Sequence, residues 1–144
     1  MIDVGEKEIT KREAIAKGEV FLSRATIQLI KKGKIPKGDV LNCAQVAGIL
    51  GAKKTPHLIP MCHPLKITYV KVSFKLEENR IEIKARAGGI DRTGVEMEAL
   101  TAVSLAALTI YDMCKGVDKE IFISNIRLVK KTGGRSGDFA REKE

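Results

Sequence analysis

From residue 99 to residue 111 no position carries a charge, and apolar or small side chains fall on every face at helical spacing. Such a stretch predicts a helix buried nearly all round, running from residue 94 to about 117 with Gly116 as its stop. The period then changes. Residues 67–76 alternate in their second half, with Val70, Val72, Phe74 and Leu76 on one side and Lys71, Ser73 and Lys75 on the other. Glu77, Glu78 and Asn79 turn the chain, and residues 80–87 alternate again with Ile81, Ile83 and Ala85 inward. The pair reads as a hairpin with one wet face. Upstream, TKREAIAKGEVFL fits either a charged helix or a strand with a small-residue face, and strand is favoured. Ser23 caps a predicted helix over residues 24–32, ended by Gly33. Asp39 caps a second helix through Ala52 with Val40, Leu41, Ala44, Ala47 and Leu50 on its buried face, and Pro56 follows its end. Residues 88–94 read as a flexible loop into the long helix, and residues 120–129 as the last strand.

At 144 residues these elements make one domain, with a real core but little room for a deep private cleft, so a site shared between subunits is expected. The formal charge of +8 and a pI near 9.5 point to an anionic partner: a nucleotide, a nucleic acid or an acidic surface. Cys43, Cys62 and Cys114 lie in separate segments without paired spacing, which argues for a reducing compartment. No apolar signal precedes a cleavage site, and Thr and Ser interrupt the long helix, so a cytoplasmic protein free of membranes is expected.

Three stretches carry candidate chemistry. The long helix ends on Asp112 with Lys115 three residues on, a carboxylate and an ammonium where the helix otherwise avoids charge. The negative end of the helix dipole explains Lys115 but not Asp112. At its start, Thr93 and Glu96 have capping-box spacing, and Glu98 shares a face with Asp112, roughly 21 Å away at a rise of about 1.5 Å per residue. One small reacting atom cannot touch both; either a long ligand spans them or symmetry brings a second helix alongside. The second stretch, residues 57–64, holds both histidines, Cys62 and two prolines. Two His and one Cys fall short of a four-ligand zinc site, so no metal is assigned; a rigid loop holding His63 in a fixed pose is expected instead. Third, residues 130–137 interleave Lys130, Lys131 and Arg135 with three glycines, a mobile basic segment, placed at 130–144, suited to closing over phosphates. The helix start offers free N–H groups to anions, but Gly94-Val95-Glu96 is not a Walker A ending.

Together, KTPHLIPMCHPL, RTGVEMEALTAVSLAALTIYDMCK and KKTGGRSGDF resemble, in the same order and over nearly the whole chain, the cyclic pyranopterin monophosphate synthase family of molybdenum cofactor biosynthesis, the MoaC type. The resemblance implies a ferredoxin-like α+β fold, a four-stranded antiparallel sheet with helices packed on one face. It implies a lyase converting a cyclised dihydro-GTP (3',8-cyclo-7,8-dihydroguanosine triphosphate) into cyclic pyranopterin monophosphate with release of pyrophosphate. It implies a homo-hexamer, a trimer of dimers with sites at the dimer interface. No cofactor is assigned, and magnesium with the triphosphate is left open, since the sequence holds no dedicated carboxylate cage. The family's catalytic residues fall on Asp112, Lys115 and Lys131, and its substrate contacts on Met61, Cys62, His63, Glu96, Met97, Glu98, Arg12 and Lys37. Position 135 is Arg where the family often has Lys, and His57 inherits no role. The alternative is a basic nucleotide- or RNA-binding α+β module without catalysis, for which four Phe, two Tyr and no Trp make a thin stacking platform. A nucleotide sensor would leave Asp112 without a purpose.

Overall fold

The structure is a computed structural model and describes residues 1–143. In chain order its elements are β1 (Thr10–Phe21), α1 (Arg24–Lys31), α2 (Val40–Lys53), α3 (Thr55–Leu58), β2 (Ile67–Leu76), β3 (Arg80–Asp91), α4 (Glu96–Cys114), β4 (Phe122–Thr132) and β5 (Phe139–Ala140). All strands pair antiparallel in one sheet of order β2-β3-β1-β4-β5. The fold is therefore α+β. The sheet has five strands rather than four, because two residues of the basic terminal segment, Phe139 and Ala140, pair with Lys131 and Lys130.

α4 lies over β1, β3 and β4, and α2 packs beside it and over β2. Along β1 every second residue, Ala14, Ala16, Val20, is fully buried, and Ile81, Ile83, Ala85 and Ala87 of β3 continue that face. The alternation expected of the hairpin thus holds, as does the strand reading of β1. Small residues let the layers approach closely: a Cβ on Gly48 of α2 would stand 2.9 Å from the Ala102 carbonyl of α4. Fully buried Ile27, Ile110 and Val103 complete the core, each worth about 1.5–3 kcal/mol. α4 is long and apolar enough to cross a membrane, but more than half of its most apolar window lies inside the fold, as a core helix requires.

Five expectations are corrected. Leu50 does not lie on the buried face of α2 but is 49 % exposed, that face being completed instead by Gly48 and Gly51. α4 is not capped by a box: its N-cap is Val95 with no side-chain bond, and Glu96 turns to a lysine instead. Residues 88–91 are strand, since Gly88 makes room for the Tyr69 ring and Gly89 for the Lys66 carbonyl. The loop after Pro56 opens with a short helix, α3, whose first turn tolerates proline. β4 starts at Phe122 and runs on to Thr132, taking in Lys130 and Lys131.

Candidate functional site

The residues singled out above gather at the two ends of α4. At its C-terminal end, Asp112 accepts from the Lys37 ammonium at 2.9 Å and pairs with Lys115 at 3.3 Å. Lys37 arrives from the loop before α2, which Asp39 caps by accepting from the Asn42 N–H. Hydrogen bonds from Lys37 and then Lys115 hold the Asp112 carboxyl below the usual carboxylate range, so it stays ionised at neutral pH. All three side chains are more than half exposed.

At the N-terminal end, Lys131 of β4 pairs with Glu96 at 3.1 Å and donates to Ser136 Oγ at 2.8 Å. Arg12, only 6 % exposed, donates through Nε to the Asp91 carbonyl and through Nη2 to that of Arg92, both at 3.1 Å. Gly134, at φ +88°, lies on that guanidinium where a Cβ would overlap Nη1, and Gly133 crosses the Lys11 carbonyl just as closely. The basic glycine segment is thus laid against β1 by conformations that side chains rarely adopt. Arg12 and Arg135 share a cavity of about 400 Å³ with Lys7, Glu6 and Glu8.

The loop after α3 completes this end. His63 Nε2 donates to the Ile2 carbonyl at 2.6 Å, while Met61 is 69 % exposed. Asp91 clamps the loop to the start of α4, accepting from the Lys66 N–H at 2.9 Å and from the Arg92 N–H at 2.8 Å. Glu98 is almost fully buried, and burial, with Glu96 close by, pushes its carboxyl up to about 7 despite the bond from its own N–H. Burial, and then the proximity of Glu98, likewise raises the Cys62 thiol. Met97 stands at the exposed edge of the same helical turn.

Arg12, Glu96, Met97, Glu98 and Lys131 therefore cluster at one end, with Met61, Cys62 and His63 on the neighbouring loop. Asp112, Lys115 and Lys37 lie at the other, about 24 Å of helix from Glu96 at 1.5 Å per residue. Within one chain Lys131 does not reach Asp112. Two residues escaped the sequence reading. Lys7 lies in a segment without periodicity and gave no signal; Asp91 had one, an Asp at a strand–loop junction, where such side chains bind nearby backbone N–H groups.

The MoaC family profile matches residues 1–134. The chain is 57 % identical, over all its length and 86 % of the relative's, to the cyclic pyranopterin monophosphate synthase of Pelotomaculum thermopropionicum. Proteins of the same name from Desulforamulus reducens, 59 % identical over all of this chain and 88 % of theirs, and Peptoclostridium acidaminophilum, 58 % over 99 % and 90 %, are similarly close.

Proposed function

The chain belongs to the MoaC family, and from that membership we propose how its two residue clusters make cyclic pyranopterin monophosphate for molybdenum cofactor biosynthesis. The substrate is a cyclised dihydro-GTP and the leaving group pyrophosphate. One observation carries the reading: Asp112, Lys37 and Lys115 gather at one end of α4, and Arg12, Lys131, Glu96 and Glu98 at the other.

The ends join if two protomers pack across a twofold axis near Leu105, midway between Glu98 and Asp112. Val46 and Leu50 of α2 and Leu108 of α4 are each about half exposed, apolar surface that such a contact would cover. Each pocket then receives Asp112, Lys115 and Lys37 from one protomer and Arg12, Lys131, His63 and Glu98 from its partner. Three such dimers give the hexamer the resemblance implies. The βαββαβ order of the main elements supports a ferredoxin-like core, with α1 and α3 as additions and β5 at the edge.

In this pocket the polyphosphate lies in the Arg12–Lys7–Arg135 cavity. Its phosphates displace Glu96 from Lys131, so the cation meets the charge that develops as a sugar hydroxyl attacks the α-phosphorus and pyrophosphate leaves. At the other end the ion pairs of Asp112 with Lys37 and Lys115 hold the three groups together, and this cluster supplies the acid and base for the proton transfers that opening the five-membered ring and closing the pterin ring require. Glu98, near half-protonated at neutral pH, donates or accepts at the base. Any magnesium travels with the triphosphate, and the setting is the reducing cytoplasm, in keeping with three free cysteines among the described residues. The open sheet face offers little to RNA bases: Phe21 and Phe122 stack on each other at 4.7 Å, and the Tyr69 hydroxyl is bonded to Glu13.

The test is anaerobic turnover of the cyclised dihydro-GTP, followed as pterin and pyrophosphate. Wild type turns over, and Asp112→Asn and Lys131→Ala do not. Mixing Asp112→Ala chains with Lys131→Ala chains restores part of the activity, because some interfaces then hold one intact pocket. A mixture no better than either parent refutes the division between protomers; an inactive wild type refutes the reaction.

A further inference from the structure

The sheet face turned away from the helices carries an arrangement the reaction does not use. Strand register places Lys84 of β3 opposite Lys17 of β1, and Lys17 opposite Arg127 of β4. Three cations thus stand in one row at strand spacing, about 5 Å apart. In the adjoining row Lys71, Arg86 and Lys130 lie in register around Ile15. Like charges directly opposite one another destabilise a sheet. Glu19 relieves Arg127 from the next row, at 3.3 Å, Glu82 pairs with Arg80 at 3.0 Å and Glu77 with Lys75 at 3.1 Å; the concavity above the first row is still lined by more cations than carboxylates.

That concavity measures about 550 Å³ and is lined by Lys17, Lys75, Arg80, Lys84 and Arg127 with Glu19 and Glu82. Among these groups the Arg80 Nε–H is buried and has no hydrogen-bond partner. A buried donor left unpaired costs free energy, which an acceptor recovers once the Arg80 side chain turns its Nε–H into the concavity. We propose that this concavity on the open sheet face is a second anion site, which binds the phosphates of a small polyphosphate along the Lys84–Lys17–Arg127 row. Lysine ammoniums at this spacing suit successive phosphate groups as point charges, and the guanidiniums of Arg80 and Arg127 add directed donors. Free pyrophosphate and the polyphosphate tail of a nucleotide present the same chemistry.

The experiment measures binding of inorganic pyrophosphate by calorimetry at low salt. It compares wild type, Arg12→Ala/Lys131→Ala and Lys17→Gln/Lys84→Gln, with Lys84→Gln alone as a milder variant at an exposed position. Arg12→Ala/Lys131→Ala keeps one site per chain, and the Kd of that site rises at least tenfold in Lys17→Gln/Lys84→Gln and severalfold in Lys84→Gln. Competition by guanosine triphosphate identifies a nucleotide tail as occupant; without competition the occupant is free pyrophosphate. The proposal is overturned if all binding disappears with Arg12 and Lys131 or if Kd is unchanged in both lysine variants. It is equally overturned if those variants alter only the oligomeric state, which would make the face an interface between copies. None of these outcomes depends on turnover, so failure here leaves the catalytic reading standing.

Discussion

Replacing Glu98 with glutamine keeps the shape of the side chain and removes a negative charge from a position 2 % exposed. In the folded chain burial holds this carboxyl at about 7, against an ordinary 4.5. The native state therefore binds the Glu98 proton more tightly than the unfolded state. Between those two values the unfolded chain has released the proton and the folded chain has not, so stability falls as pH rises through the window. Taken at about 1.4 kcal/mol per pH unit, the interval from 4.5 to about 7 amounts to about 3 kcal/mol, lost in full above pH 7. Glu98→Gln has no such loss. Relative to wild type it should gain about 3 kcal/mol between pH 4.5 and pH 8, or about 6–12 °C in melting midpoint for a chain of this length. Any fixed cost of burying the amide cancels, because the observable is the change with pH. Thermal or urea unfolding of both proteins from pH 4.5 to 8 measures it, and turnover of the variant should be lost even where it is the more stable protein. A stability difference that is flat across this range would refute the placement of Glu98 as a buried, largely unpaired acid.

Asp118, buried beyond the end of α4, accepts from the Ser23 N–H at 2.8 Å, the Thr26 hydroxyl at 2.9 Å and the Glu120 N–H at 3.1 Å. Asp118→Ala strands these donors and should cost about 1–3 kcal/mol in urea unfolding with little change in kcat. Burial raises the Asp118 carboxyl, but the bonds from Ser23 and Thr26 outweigh it and the net shift is downward. Its contribution is therefore present above the ordinary carboxylate value and lost as pH falls through the lowered folded one; a variant whose deficit does not shrink in acid would contradict this. Gly134→Ala places a methyl on the Arg12 guanidinium at φ +88°. It should raise KM and cost about 1–2 kcal/mol, and unchanged kinetics would show that the glycine segment does not set the Arg12 pose. Asp112→Asn should abolish turnover while leaving the melting midpoint unchanged, because the side chain is 57 % exposed and its partners are solvated; a large loss of stability would make Asp112 a structural residue.

Local sequence determined a good deal of this protein. A charge-free stretch interrupted by Thr and Ser reads as a core helix, alternation with polar turns reads as a hairpin with one wet face, and Ser23 and Asp39 cap the helices that follow them because their oxygens reach free N–H groups three residues on. The ion cluster at Asp112 was half legible, since Lys115 follows it at helical spacing. What sequence did not determine is every contact set by long-range strand register. Lys131 meets Glu96, Arg12 is held by the carbonyls of Asp91 and Arg92, and Lys84 faces Lys17 faces Arg127, across separations of 35, about 80, and 67 and 110 residues. The capping box failed for the same reason. Thr93 and Glu96 have the right spacing, but the lysine that β4 carries to that point is a stronger partner for a carboxylate than a backbone N–H, and only the assembled sheet brings it there.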